Sequence, residues 1–160
     1  MMTTATRPSI LSLEDFVTHW QGHRALTRRV IEAFPEDQLF TFTAAPPMRP
    51  FGMLANEIHL VSEMTLGGLK GGQWNEPDWA AALRSRDELL SAWDALSERI
   101  AAEAPGANPA FFTDTHQLPW GEMTGWVAAI YNIDNEIHHR AQGYVYLRAL
   151  GIEPPAFYER

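Results

Sequence analysis

Asn132–Gly151 reads NIDNEIHHRAQGYVYLRALG. Apolar residues recur through it at helical spacing, and Gly151, Pro154 and Pro155 stop the run. The segment is therefore the end of a long helix, expected to start near Gly121 and to close near Leu150. It carries two adjacent histidines, His138 and His139. Neighbours on a helix point about 100° apart, so the two cannot share one task. Each has a polar partner one turn earlier: Asp134 for His138, Asn135 for His139.

Three further segments upstream carry helical periodicity. In SLEDFVTHWQGHRALTRRVIEAF, Ser12 reads as an N-cap with Asp15 at the third position, and Leu13, Phe16, Trp20, Leu26, Val30 and Phe34 line one face. Pro35 ends it, and PEDQL reads as a short helical turn. FTFTAAPPMRP, with three prolines, is extended or irregular. In FGMLANEIHLVSEMTLGGL the repeat is Leu54, Ile58, Val61, Thr65 and Leu69. KGGQWNEPDW is a loop, and SRDELLSAWDALSERIAAEA is a helix with Ser85 and Glu88 as a capping box. PGANPAFFTDTHQLPWGE reads as a long linker, and no run alternates long enough to be a strand. The expected architecture is all-α, a four-helix bundle. Its long second and third connections allow an up-down-down-up order as readily as up-and-down.

The 160 residues suit one domain over 1–160, with its core at about 12–151. A net charge of −8 argues against a nucleic-acid partner, which needs a basic face. The absence of cysteine excludes disulfides, thiolate metal ligands and a cysteine nucleophile. No segment is long and apolar enough to span a membrane. MMTTATRPSILS has no apolar leader core, so a cytoplasmic protein is expected.

The remaining chemistry rests on histidine. His59 lies midway along the second helix, where a histidine more often fills a hydrogen-bonded core role than a ligand role. Bundles build metal sites by setting an i, i+4 pair on one helix against a ligand from a facing helix. Asp134 with His138 is the chemically better pair for a divalent metal, because a neutral amide such as Asn135 binds weakly. The plain alternative is that both face solvent. Glu63, one turn beyond His59, could orient its imidazole. His19 and His23 also stand at i, i+4, but Gly22 lies between them and no third ligand is in view. His116 is a loop histidine that could reach a pocket.

RVIEAFPEDQLFTFTAAPPMRPFGMLANEIHL and LPWGEMTGWVAAIYNIDNEIHHRAQGYVYLRALG together resemble the DinB family of DinB/YfiT-like bundle proteins. The resemblance runs from about Ser12 to Gly151 and implies a four-helix bundle of up-down-down-up order. In that family a histidine of the second helix and an HxxxH pair of the last helix hold a divalent metal. By position these are His59, Asn135 and His139, so His139 rather than His138 becomes the candidate ligand. Asn135 stands where the family has a histidine, and Ala141 where HRGQ has glycine. Losing one imidazole should weaken metal binding strongly.

The resemblance leaves two functions. One is an enzyme of the thiol-dependent transferase or hydrolase type, using zinc or nickel and a low-molecular-weight thiol. The other is a bundle protein that has lost the metal: a non-catalytic binding protein that holds an apolar ligand or a partner in a pocket lined by Trp20, Trp120 and Trp126, or a stress-related protein with only a dimerisation role. The resemblance also implies a homodimer. The expected partner is a small-molecule substrate or ligand, not nucleic acid or a membrane.

Overall fold

In the computed structural model, described for residues 11–81 and 83–160, most of the chain is helical. The helices are α1 (Leu13–Ala33), the single turn α2 (Glu36–Leu39), α3 (Phe51–Gly71), α4 (Arg86–Glu103) and α5 (Gly125–Ala149). Residues 1–10, most of the stretch read for a leader, lie outside the described residues. α1 starts as its sequence requires. The Ser12 hydroxyl accepts from the Asp15 amide at 3.0 Å, and the Asp15 carboxylate accepts from the Ser12 amide at 3.0 Å. α4 is capped by half of this device. Ser85 accepts from the Glu88 amide, but the Glu88 carboxylate takes the Arg84 amide, one residue further out than a capping box requires.

The linker and the start of α5 differ from expectation. Residues 115–124 form an antiparallel hairpin, β1 (Thr115–Leu118) with β2 (Gly121–Thr124), in which Leu118 pairs with Gly121. Gly121 has φ +143°, which residues with a Cβ rarely adopt, and this lets the turn close tightly. α5 consequently starts at Gly125, with Thr124 as its N-cap accepting from the Val127 amide.

α3 packs on α5 and α4, and α1 packs on α4, α5 and α3. The predicted faces are the buried ones apart from Leu13, which is partly buried: Phe16, Trp20, Leu26 and Val30 on α1 with Phe34 at its C-cap, and Leu54, Ile58, Val61, Thr65 and Leu69 on α3. α3 and α5 meet closely at Gly143, where a Cβ would lie 2.5 Å from the Phe51 ring. The apolar interior is in two parts. One gathers Phe16, Trp20, Leu66, Ile100, Ala129 and Ile133; the other Val30, Phe34, Phe51, Ile58, Trp93 and Leu147. Between these parts lie buried polar residues of three helices: His23, Arg24 and Thr27 on α1, His59 and Ser62 on α3, and Asn135, Glu136, His139 and Arg140 on α5. Among the described residues no helix is long and apolar enough to cross a membrane.

Candidate functional site at the α3–α5 seam

The inward face of α5 brings Asn135 and His139 to α3, as an i, i+4 pair should. They meet Glu57. The His139 Nε2–H donates to Glu57 Oε1 at 3.0 Å, and the Asn135 amide donates to the same oxygen at 3.4 Å. The other Glu57 oxygen lies 2.6 Å from Arg49 Nη2. Gln142 Oε1 stands 3.5 Å from His139 Nδ1. His139 and Asn135 are buried, while the Glu57 side chain keeps a quarter of its surface. The hydrogen bond from His139 is the main cause that holds the Glu57 carboxyl down at about 2; burial opposes it and Arg49 adds to it.

His59 is turned elsewhere. It lies two residues from Glu57, hence about 200° around the helix, and its ring centroid is 6.5 Å from that of Trp93 on α4. Burial pushes its pKa down to about 4; Glu63 pulls upward, while Arg24 and Arg99 push further down. Glu63 itself bonds Arg99 at 2.8 Å. His138 is exposed and reaches Gln142 Nε2 at 3.1 Å, with Asp134 on the same exposed side.

The other histidines are tied up. His19 and His23 do meet, Nε2 to Nε2 at 3.2 Å. Two guanidinium groups close on His23, Arg140 at 3.0 Å and Arg160 at 2.8 Å, an environment that repels a cation. Burial first, then Arg140, His19 and Arg160, lowers the His23 pKa to about 3. His116 is fixed in the hairpin, with Nε2 2.9 Å from the Phe111 carbonyl and its ring against Phe111. The three tryptophans do not share a cleft. Trp20 is fully buried in the core, Trp126 borders a cleft with Phe16 and Phe112 that includes neither of the others, and Trp120 leans on Tyr131.

Beneath the seam, α1 and α5 share a charged layer that sequence reading did not single out. Glu136 is fully buried and accepts from Thr27 Oγ1 at 2.5 Å. Arg140 Nη1 donates to the same hydroxyl at 3.0 Å and lies 3.7 Å from Glu136. Arg24 lies over the Trp93 ring, 4.2 Å from its centroid, and donates to the Trp93 carbonyl and to Ser97 Oγ. Burial raises the Glu136 pKa against the pull of Arg24, Thr27 and Arg140. Sequence signals existed: Arg24 lies between the apolar positions Trp20 and Leu26, and Glu136 is followed by Arg140 at i, i+4.

The residues present fit the implied divalent metal poorly. The assigned donors are two imidazoles and an amide, and among the described residues no three His, Asp or Glu side chains gather closely enough to hold a metal. The His139 Nε2 is engaged by Glu57, whose second oxygen is engaged by Arg49. Asn135 Oδ1 and His59 Nδ1 are buried atoms with no hydrogen-bond partner, which leaves each a free lone pair or donor.

The DinB family profile matches residues 1–160. A crystal structure of a DinB-like protein from Bacillus cereus ATCC 10987 superposes with a TM-score of 0.71 at 19% identity, covering 91% of this chain and 97% of that one. A DinB-like protein (YjoA) from Bacillus subtilis superposes with a TM-score of 0.73, also at 19% identity and with the same coverage. These likenesses concern the fold. Comparison with curated proteins found no match. With its whole length matched by one family profile, the chain belongs to the DinB family.

Proposed function

We propose that this DinB-family chain is a small-molecule-binding protein in which a hydrogen-bonded pair, Glu57 with His139, stands in place of a resident metal. One observation carries the reading: His139 Nε2, the atom a metal would need, donates to a carboxylate that Arg49 also holds. A metal would have to displace that proton and compete with a guanidinium for the same carboxylate. Zinc and nickel titrations followed by calorimetry test this. Dissociation constants weaker than about 1 mM are expected. Micromolar binding that His139→Ala removes would overturn it.

A second reading is favoured by the unpartnered Asn135 Oδ1 and His59 Nδ1. It is a divalent-metal centre, zinc or nickel, on His59, Asn135 and His139, serving a transferase or hydrolase that uses a low-molecular-weight thiol. The same titrations decide between the two.

The wider setting is inferred alongside. The packing of α1 and α3 on both α4 and α5 suits a four-helix bundle of up-down-down-up order, folding as one domain. A cytoplasmic location and partners other than nucleic acid or membrane accord with the charge of −8. A homodimer through α5 is supported by Val127, Tyr131 and Val145, which follow one stripe and are exposed by 52, 39 and 60%. Sedimentation at micromolar concentration should give twice the 18.0 kDa chain mass; a species of 18.0 kDa alone would refute the dimer.

A further inference from the structure

α1 carries a histidine pair that the α3–α5 seam does not use. His19 is exposed and His23 buried, and their Nε2 atoms stand 3.2 Å apart. Each ring nitrogen of His23 also meets a guanidinium: Nδ1 lies 3.0 Å from Arg140 Nη2, and Nε2 lies 2.8 Å from Arg160 Nη1. Arg160 belongs to the segment that follows α5, residues 152–160, which runs back along α5 and reaches α1. There Arg29 donates to the Glu159 carbonyl, and Arg160 lies over Gly22, where an added Cβ would come 3.4 Å from the Arg160 Cβ.

A guanidinium only donates hydrogen bonds, and a neutral imidazole has one bare nitrogen. His23 can therefore accept from Arg140 or from Arg160, but not from both. Arg140 is buried and donates also to Thr27 Oγ1 at 3.0 Å and to the His23 carbonyl at 3.3 Å, whereas Arg160 is exposed and can turn to water. Leaving the buried donor unpaired costs more, so Nδ1 accepts from Arg140. Nε2 then carries the hydrogen and donates to His19 Nε2. Arg160 stands against that N–H with no bond of its own at this ring. It is kept there by the neighbouring fastening, Arg29 on Glu159.

We propose that residues 152–160 form a strap that proton uptake by the His19–His23 pair releases from α1. Imidazole is the side chain that takes up a proton between about pH 8 and 5. His23 does not, because burial, Arg140, His19 and Arg160 hold its pKa down to about 3. A proton on His19 Nε2 turns the acceptor of the cluster into a donor, so three N–H groups and two positive charges converge on one point. The surrounding carboxylates are committed elsewhere. On α5, Glu136 lies 3.7 Å from Arg140 and accepts from Thr27. On α4, Asp94 is taken by Arg28 at 2.6 Å, and on the strap Glu159 lies 3.7 Å from Arg29. α3 turns His59 to Trp93. Arg160, exposed and without a bond at this ring, is the group that leaves. Its departure uncovers α5 at Ile137, Ala141 and Tyr144, which the strap walls. The inference goes beyond the reading of the Glu57–His139 seam and does not depend on it.

The chain has no cysteine, so Tyr158→Cys, at an exposed position, gives the full chain a single site for a nitroxide label. Its electron paramagnetic resonance spectrum should be restricted at pH 8. At pH 5 the mobile fraction should rise about tenfold, the scale of repulsion between two cations held close at a protein surface. Circular dichroism should stay constant over that interval. His19→Gln and Arg160→Gln, each in the labelled chain, should stay docked at pH 8 and lose most of the rise. Arg29→Ala should be mobile at both pH values. No rise in the labelled chain, a full rise in either Gln variant, or a docked strap in Arg29→Ala would overturn the proposal. So would a rise in step with loss of the helical dichroism, which would report unfolding instead.

Discussion

Two clusters in this protein use the same kinds of side chain to opposite ends. At the α3–α5 seam, His139 faces a carboxylate, Glu57, which is partly open to solvent. One layer inward, His23 faces guanidinium groups, and the carboxylate of that layer, Glu136, has no exposure at all. The first arrangement has a carboxylate that solvent reaches; the second has none. Burial and the sign of the neighbour, not residue type, therefore separate an accessible cluster from an enclosed one.

The largest expected effect separates the two carboxylates by stability. Glu136→Ala would leave Arg24 and Arg140 buried without their counter-charge, at a cost of about 3–5 kcal/mol. Glu57→Ala removes a bond to a half-exposed Arg49 and one to His139, and should cost about 1 kcal/mol. Urea denaturation measures both. Equal losses would dissolve the distinction between the clusters.

Acid should take the clusters apart in sequence. The folded-state pKa of His23, about 3, lies below its ordinary 6.5, so the unfolded chain binds a proton that the folded chain refuses. Stability from this source is complete above pH 6.5 and is lost as pH falls toward 3. His59, at about 4, adds to the same window. Glu57 is held at about 2 against an ordinary 4.5, so its contribution is complete above pH 4.5 and is lost as pH falls toward 2. His23→Gln should flatten the loss between pH 7 and 5 by about 1–2 kcal/mol. Glu57→Gln should leave that interval unchanged and flatten the loss below pH 4.5. Denaturation series at fixed pH values read both slopes, and a Glu57→Gln effect above pH 5 would show that the clusters titrate as one.

The sequence made the four long helices legible because their ends and faces are local properties. Ser12, Ser85, Gly151 and the apolar spacing act within a few residues. The hairpin was not legible. THQL and GEMT are short, and their strand form depends on pairing with each other and on Gly121. In the candidate site, the shared orientation of Asn135 and His139 followed from helical spacing. Glu57 did not, because its role depends on α5, distant in the chain, and its neighbour His59 offered the more familiar chemistry. The charged layer was missed for a similar reason: Arg24 and Glu136 are ordinary helix residues until α1, α4 and α5 pack together.

The smallest expected effect asks which α3 residue serves the Asn135–His139 face. Asn135→His would place a second imidazole one turn before His139, on the face that meets Glu57. With one donor from α3 this makes three ligands, enough for a four-coordinate site with one open position. Zinc binding should tighten at least tenfold, about 1.4 kcal/mol. His139→Ala in that background should abolish the gain, while His138→Ala should keep most of it, since the His138 ring points to Gln142. The deciding variants lie on α3. If Glu57 is the third donor, Glu57→Gln removes the gain and His59→Ala leaves it, because His59 lies against Trp93. If His59→Ala removes the gain and Glu57→Gln increases it, the Glu57–His139 hydrogen bond is a competitor of the metal rather than part of its site, and the family's histidine position on α3 is the working one. Retention of the gain in both variants would place the metal outside the seam and break the comparison on which the site rests.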